Sequence, residues 1–297
     1  MIDLRKIISR DLRGKIMGAL AFLPDKLYLG LFYFSTTGKW PNFKKPVGYC
    51  EKLQWLKVND RRPEYRKLVD KLAVRDHIDA VLGEGHMFPL LGQWTSFDEI
   101  DFDKLPNQFV LKCNHDSGST KVIRDKDSLS QEDFAKMNAF YTRRLKHDFY
   151  HAGREYPYMG VPRRIIAEQL MIDENNPEKS IEDYKFFCFN GEPKLMFVAT
   201  DRDTDCKFDF YDMEFNHLDI FNIHPNADKS IEKPAMFEEM KELSAKLSKG
   251  MRHVRIDLYE LNGKIYFGEY TFFHGGGFQL FHPEEWERRL GDWIDIT

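Results

Sequence analysis

Two acidic residues near the end of the sequence are spaced so that they could bind a divalent cation together. Arg255 and Asp257 precede an Asn-Gly pair at 262–263, and Glu269 and Thr271 follow it. An Asn-Gly pair between two strand-like segments predicts a β-hairpin, and residues two apart along a strand lie on one face. Carboxylates on one face repel each other unless a cation lies between them, and Mg²⁺ prefers carboxylate oxygens. The alternative is that the two carboxylates point to opposite faces or into solvent.

The register of this hairpin decides between the two alternatives. A two-residue turn would pair Leu261 with Lys264 and place Glu269 on the face opposite Asp257. A three-residue loop with its glycine in the left-handed conformation would pair Glu260 with Lys264 and bring both carboxylates to one face. We predict this second register, with Arg255 opposite Glu269. It places on one face Arg255, Asp257, Tyr259, Phe267, Glu269 and Thr271, and on the other Ile256, Leu258 and Tyr270.

A second group of residues could bind phosphate. Lys112 lies near the end of a predicted strand, 108–114, and the polar loop that follows contains Ser117, Gly118 and Ser119. Backbone N–H groups and hydroxyls of such a loop can bind phosphate oxygens, with the lysine as counter-charge. An ordinary surface turn explains the same residues.

The elements that would position these side chains are helices and antiparallel strands. Apolar spacing over 49–82 predicts two helices interrupted at 59–63, with Lys71 and Arg75 four apart on a face that is either phosphate-binding or solvated. Further helices are predicted at 131–150 and 234–250, and a strand at 164–170. Asn-Gly pairs at 190–191 and 262–263 predict two hairpins. The fold class is therefore α+β with antiparallel sheets.

Composition excludes several classes of protein. The 297 residues include 44 Lys or Arg and 48 Asp or Glu, a net charge of −4, which disfavours nonspecific nucleic-acid binding. Aromatic residues make up 14%, too many for a disordered chain. The four cysteines show no metal-site spacing, which indicates free thiols in a reducing compartment and predicts a cytoplasmic location.

An apolar run at 16–34 is broken at 24–26 by Pro-Asp-Lys, before it reaches the length that a membrane span needs. We therefore expect no transmembrane segment here. The run is interpreted either as core-packing helices or as a surface-bound amphipathic element near a lipid-linked substrate.

Taken in order, these segments resemble the ATP-grasp superfamily of carboxylate-amine ligases from about residue 68 onward. Val-Asp-Lys-Leu at 69–72 resembles the segment of that superfamily whose lysine contacts ATP phosphate. Residues 109–120 resemble the strand that carries a second lysine and the phosphate-binding loop after it, and residues 166–170 resemble the hinge strand that lies against adenine. Arg-Ile-Asp at 255–257 and Glu-Tyr-Thr at 269–271 resemble the magnesium pair. Thr271 replaces the usual metal-binding Asn, and His274 stands where Pro often precedes Gly.

At finer grain the chain is similar to the TupA-like ATP-grasp family of bacterial surface-polysaccharide clusters. The matching text lies at 51–56, 69–71, 105–106, 183–186, 201–202, 268–271 and 275–277. The resemblance implies an ATP-grasp fold with a mainly helical N-terminal region, 1–107, a small central subdomain, 108–165, and a C-terminal subdomain with the metal site, 166–297. It also implies ATP and Mg²⁺ as cofactors.

The resemblance further implies a role for each candidate residue. It implies that the catalytic residues are Arg255 and Lys112 and that the metal ligands are Asp257, Glu269 and Thr271. It implies that the nucleotide is bound by Lys71, Lys112, Ser117, Gly118, Ser119, Glu168, Gln169, Leu170 and Arg202. We expect Asp257→Asn and Glu269→Gln each to abolish ATP turnover. Neither should destabilise the sheet, because each removes one of two carboxylates that repel each other.

The implied reaction is amide formation through an acyl phosphate, with a small-molecule or sugar carboxylate and an amine as substrates. A uronic acid or acidic amino acid destined for a capsule or surface polysaccharide fits the family, with a peripheral contact to a lipid-linked glycan. The alternative function is a glycosyltransferase, because the Asp-Arg-Asp-Thr-Asp run at 201–205 resembles a D-x-D metal site for a nucleotide sugar.

Overall fold

A computed structural model describes residues 16, 18–174, 176–177, 180–201, 204–227 and 231–297. The helices in these ranges are α1 (Asp25–Thr37), α2 (Tyr49–Asn59), α3 (Tyr65–Val69), α4 (Val74–Leu82), α5 (Gln131–Leu145), α6 (Tyr150–Gly153), α7 (Phe237–Ser248) and α8 (Glu284–Trp293). The strands are β1 (Leu90–Trp94), β2 (Phe109–Cys113), β3 (Lys121–Ile123), β4 (Ile165–Gln169), β5 (Asp183–Phe189), β6 (Glu192–Thr200), β7 (Lys207–Tyr211), β8 (His217–Leu218), β9 (His253–Leu261) and β10 (Lys264–Thr271). They form two antiparallel sheets, which confirms the α+β class.

The smaller sheet has the strand order β1-β4-β2-β3 and its own apolar core. Phe109, Leu111 and Cys113 alternate into this core along β2, so Lys112 points to the other face. Helix α5 covers the core with Met137 and Tyr141. The small sheet thus presents Lys112 on the face away from this core.

The larger sheet has the order β10-β9-β5-β6-β7-β8 and lies between two helical layers. Along β5, Phe186 contacts Phe237 of α7, whereas Phe187 contacts Tyr49 of α2 on the other face. Strand β5 is buried throughout because both of its faces are covered. Lys185 shares the α2 face with Phe187 and lies beyond it, toward the start of the strand.

The last hairpin turns in two residues, so the predicted three-residue loop is wrong. Leu261 pairs with Lys264, and the turn residues 262 and 263 both have positive φ. The register then shifts between Phe267 and Glu269, where Gly268 is an extra residue. This β-bulge brings Glu269 directly opposite Asp257, so the expected shared face is restored by a different route.

The bulge also corrects two details of the expected hairpin. Thr271, and not Glu269, lies opposite Arg255. Phe267 pairs with Leu258 and contacts the ring of Tyr270 at 5.1 Å, so its side chain lies on the face away from the carboxylates. The faces predicted for Tyr259, Ile256, Leu258 and Tyr270 are confirmed.

Other elements differ from the predicted ones. The second predicted helix is two helices, α3 and α4, separated by a turn at 70–73, and the predicted helix 131–150 ends at Leu145 and is followed by α6. The sequence pattern missed β1, β3, β7, β8 and α8. Because β1 and β4 pair with each other in the small sheet, that sheet spans 90–169 and extends past the expected boundaries at 107 and 165. No helix in the described ranges is long and apolar enough to cross a bilayer.

Candidate active site

A cavity of about 350 Å³ is lined by residues of both sheets and of the segments next to them. One side is formed by Lys71, Val74, Met87, Phe88, Lys112, Asp116, Ser117, Gly118, Thr120 and Glu168, and the other by Asp183, Lys185, Asp257, Tyr259, Phe267, Gly268 and Glu269. Two predicted phosphate-binding lysines therefore share a cavity with the two predicted metal-binding carboxylates.

The turn before α4 places Lys71 in the cavity. Asp70 accepts hydrogen bonds from Leu72 N at 2.9 Å and from Asn114 Nδ2 at 2.7 Å, which ties the turn to the end of β2. Lys71 N donates to Asn114 O at 3.1 Å, and Lys71 Nζ donates to Asp116 O at 2.5 Å. Burial lowers the pKa of Lys71, an effect that nearby Glu269 only partly offsets. An anion bound here would relieve the cost of burying this ammonium group.

Lys112 projects from β2 toward the neighbouring strand β4. Its Nζ lies 2.5 Å from Glu168 Oε2, and Arg75 Nη1 lies 3.4 Å from the other oxygen of the same carboxylate. Arg75 is in turn fixed by donating to Phe88 O at 2.7 Å. Glu168 therefore holds two cations at the wall of the cavity and leaves Lys112 with donors that can face a ligand.

The polar loop 115–120 is held in place by the contacts of the Asp116 carboxylate. Asp116 Oδ1 accepts from Ser119 Oγ at 2.5 Å, and Arg144 Nε lies 2.6 Å from Asp116 Oδ2. Ser119 Oγ also accepts from Cys113 N at 2.8 Å, so this predicted ligand is buried and its hydroxyl is used within the loop. Ser117 and Gly118, by contrast, border the cavity and are exposed.

An apolar end of the cavity was not identified from the sequence. Val74, Met87 and Phe88 line it, and Phe88 stacks on Tyr266 with ring centroids 5.0 Å apart. The loop that carries Met87 and Phe88 is attached to the edge of the large sheet, because Phe267 N donates to the carbonyl of residue 86 at 2.7 Å. These residues form an apolar wall that suits a flat ring such as a nucleobase.

The remaining predicted nucleotide contacts lie elsewhere. Gln169 and Leu170 border a separate surface groove beside residues 104–108, and Gln169 N donates to Pro89 O at 2.9 Å. Arg202 lies outside the described residues. Of the predicted hinge residues, the structure thus brings only Glu168 to the cavity wall.

Asp257 is held by two buried cations. Arg255 donates from Nε to Oδ1 and from Nη2 to Oδ2, each at 2.7 Å, and Lys185 Nζ contacts Oδ2 as well. Lys185 also lies 2.5 Å from Asp183 Oδ2. Burial alone would raise the pKa of Asp257, but Arg255 and Lys185 outweigh it and hold the pKa at about 2. Asp257 is therefore ionised and already neutralised by protein charges.

Arg255 also connects the metal-binding candidates to the loop that follows β10. Its Nη2 lies 3.0 Å from Thr271 Oγ1 and 3.4 Å from Glu269 Oε1, and Thr271 Oγ1 donates to that same Glu269 oxygen at 3.2 Å. His274 Nδ1 accepts from Arg255 Nη1 at 2.6 Å, and its Nε2 donates to Asn222 Oδ1 at 2.8 Å. Burial lowers the pKa of His274 far below its usual value, so the ring is neutral and can accept from the guanidinium.

The loop at 275–277 consists of three glycines, all with positive φ, a conformation that other residues adopt only with strain. Two side chains from α2 hold its carbonyls. Lys57 Nζ donates to Gly276 O and Gln54 Nε2 donates to Gly277 O, each at 2.6 Å. Burial lowers the pKa of Lys57 to about 8. Helix α2 thereby holds the backbone of the loop that follows the carboxylate pair.

The donor set fits Mg²⁺ only if a ligand completes it. Within the described ranges no three His, Cys, Asp or Glu side chains are grouped to hold a metal alone. Mg²⁺ commonly takes one or two carboxylates together with substrate phosphates. Asp257 and Glu269, opposite each other at the bulge, supply two carboxylates on the cavity side, and the hydroxyl of Thr271 adjoins them.

A family model described as TupA-like ATPgrasp matches residues 51–295. The chain belongs to the TupA-like ATP-grasp family. The resemblance seen in the sequence is thereby confirmed, and with it the ATP-grasp fold. ATP and Mg²⁺ are the cofactors that ATP-grasp ligases use. A comparison with curated proteins finds no match.

Solved structures with low sequence identity to this TupA-like chain include two D-alanine ligases. The chain is 17% identical to D-alanine–D-alanine ligase from Bacillus anthracis complexed with ATP, over 69% of this chain and 53% of that one, with a TM-score of 0.39. It is 11% identical to D-alanyl-alanine synthetase A from Vibrio cholerae, over 69% of this chain and 56% of that one, with a TM-score of 0.40. It is 14% identical to N5-carboxyaminoimidazole synthase from Aspergillus clavatus, over 70% of this chain and 45% of that one, with a TM-score of 0.39. The chain spans about half the length of these proteins.

Proposed function

We propose that this protein is an ATP-dependent ligase that joins a carboxylate to an amine through an acyl phosphate. The observation that best supports this is one cavity with Lys71 and Lys112 on one wall and Asp257 and Glu269 on the other. Ammonium groups complement phosphate oxygens, and paired carboxylates complement Mg²⁺. Membership of an ATP-grasp family points to the same chemistry.

Each of these side chains has one task in the proposed reaction. Lys71 and Lys112 bind phosphate oxygens of the nucleotide, and Ser117 and Gly118 add a hydroxyl and a backbone N–H. Glu168 keeps Lys112 in place. A carboxylate oxygen of the substrate takes the γ-phosphoryl group and ADP leaves; the amine nitrogen then displaces phosphate to leave an amide.

The carboxylate pair and Arg255 act on the charge that develops in this reaction. Asp257 and Glu269 would hold Mg²⁺, with Thr271 as a proposed third ligand. Bound Mg²⁺ supplies neutralisation of the phosphate charge. Arg255 stabilises the acyl phosphate or the tetrahedral oxyanion, and His274 fixes the orientation of its guanidinium.

The substrates are the second part of this proposal. A uronic acid or an acidic amino acid is the proposed carboxylate, and an amino acid or amino alcohol the proposed amine. The product would enter a bacterial capsule or surface polysaccharide, and the enzyme would be cytoplasmic with a peripheral contact to a lipid-linked glycan. The support for this setting is the resemblance of the sequence to the TupA-like ATP-grasp family of bacterial surface-polysaccharide clusters.

The first expected result is that Mg-ATP raises the melting temperature by several degrees. A ligand at 100 times its Kd stabilises the folded state by about 2.7 kcal/mol. Thermal melting with Mg-ATP, with ATP plus EDTA and with a UDP-sugar plus Mg²⁺ tests this. A rise with the UDP-sugar alone would favour a glycosyltransferase and reject the ligase.

The second expected result concerns the products. Turnover with a carboxylate and an amine should release ADP and phosphate in equal amounts, because only the γ-phosphoryl group is transferred to an acyl phosphate. Chromatography of the nucleotides with separate phosphate and pyrophosphate assays measures this. Release of AMP and pyrophosphate would show that an adenylate forms instead.

A further inference from the structure

One face of α1 is apolar and exposed to solvent. Leu27 and Phe34 are 43% and 40% exposed, and Leu31, which is half-buried, lies between them on the same face, because these positions are four and seven residues apart. Trp40, 52% exposed, lies against Gly30 beside them. We call Leu27, Leu31, Phe34 and Trp40 the α1 stripe.

The opposite face of α1 is packed against the rest of the described protein. Tyr28, Leu29 and Tyr33 are buried on that side. The Arg154 guanidinium lies 4.4 Å from the ring centroid of Tyr28 and also donates to Leu23 O at 3.3 Å. Tyr28 OH donates to the carbonyl of residue 151 at 3.1 Å. The helix is therefore held in place, and among the described residues its second apolar face remains exposed.

Exposed apolar side chains and basic charge are both concentrated in this part of the chain. In the described ranges, six of the eleven large hydrophobic residues that are more than about a third exposed lie between 16 and 47, and Phe22 among them is 80% exposed. Residues 1–47 contain nine Lys or Arg and three Asp or Glu, a net charge of +6 in a chain whose total is −4. Lys26, Lys44 and Lys45 are exposed and lie within five residues of Leu27 or Trp40 in the sequence.

We propose that the α1 stripe docks on an anionic lipid bilayer surface. Apolar side chains with a tryptophan, flanked by lysines, match the boundary between headgroups and acyl chains, where apolar area and anionic lipid both add to binding. Asp25, the acidic residue at the start of α1, does not oppose this, because it is paired with Arg61 and Arg154 on the protein side. The inference does not depend on the ligase reaction.

Co-sedimentation of the full chain with vesicles tests this proposal. We expect at least tenfold more bound protein with vesicles of phosphatidylcholine and phosphatidylglycerol than with phosphatidylcholine alone, and a loss of binding in high salt. Leu27→Ser combined with Phe34→Ser, and separately Lys44→Glu combined with Lys45→Glu, should each reduce binding at least fivefold. The matched control is Val122→Ser, since Val122 is 48% exposed but lies on the small sheet.

Four outcomes would overturn the proposal. Equal sedimentation with both vesicle types, or equal losses in the stripe variants and in Val122→Ser, would show that the stripe does not bind anionic lipid. Concentration-dependent self-association in light scattering, abolished by Leu27→Ser and Phe34→Ser, would assign the stripe to a second copy of the chain. A Phe34→Cys thiol that reacts with maleimide as slowly as a buried cysteine would show that the chain itself covers it. The Mg-ATP melting shift, measured on the same samples, reports separately on the proposed ligase.

Discussion

Glu269→Gln is expected to lower ATP turnover about 100- to 1,000-fold, equivalent to about 3–4 kcal/mol of transition-state stabilisation, without lowering the melting temperature. Glu269 is 34% exposed, and its links to Arg255 and Thr271 are 3.4 and 3.2 Å long, so little folding energy depends on its charge. Glutamine keeps the shape and an acceptor oxygen but loses the charge offered to Mg²⁺.

Steady-state ATP turnover and the Mg-ATP melting shift, both across a Mg²⁺ titration, measure this effect. Glu192→Gln is the matched control, because Glu192 is an exposed carboxylate on the same sheet that pairs with Lys194 at 3.2 Å outside the cavity. Unchanged turnover in Glu269→Gln, or a similar loss in the control, would remove Glu269 from the metal site.

Asp257→Asn is expected to lose stability as well as turnover. On the sequence alone, removal of one of two repelling carboxylates should not destabilise the sheet, and for Asp257 the structure overturns that reasoning. Asp257 is 1% exposed and balances both Arg255 and Lys185. Breaking a buried pair by removing one partner costs about 3–5 kcal/mol, because the remaining charges are left uncompensated.

Urea unfolding of the Asp257→Asn protein measures this loss. Adding Lys185→Met should cost less than the sum of the two single losses, because the contact between Lys185 and Asp257 is already lost in either single variant. The loss should be largest above about pH 4 and shrink toward pH 2. A carboxyl with a folded pKa of about 2 and an unfolded pKa of about 3.9 stabilises fully above the unfolded value and loses this contribution as the pH falls through the folded one. A pH-independent loss, or no loss at all, would contradict the ion-pair explanation.

Local signals predicted the elements, but the site depends on pairing between distant segments. The Asn-Gly pairs fixed both hairpins, and alternation placed Lys112 on the open face of β2. Lys185 reaches Asp257 only because β5 pairs with β9, 72 residues further along the chain. The apolar wall at Phe88 likewise depends on a loop held against the far sheet. Neither contact leaves a signal in local spacing.

The bulge in the last hairpin escaped prediction for a related reason. The preference of an Asn-Gly turn for two residues is local, but Gly268 is set by what surrounds it. A Cβ at this position would lie 2.9 Å from the Tyr259 ring and 3.0 Å from Asp257 O, which leaves room only for glycine. The two-residue turn that an Asn-Gly pair favours is present. The prediction of a three-residue loop was wrong because it assumed that the two strands pair without a bulge.

The single extra residue at 268 also restricts how the length of this hairpin can vary. Deleting it would restore a regular ladder and rotate Glu269 to the side where Tyr270 OH now donates to Leu247 O of α7, burying a carboxylate against an apolar helix. Two residues added at the tip, by contrast, would leave every side chain between 255 and 271 on its present face. Insertions and deletions in this hairpin should therefore be tolerated in pairs at the tip, and odd ones next to the carboxylates should not.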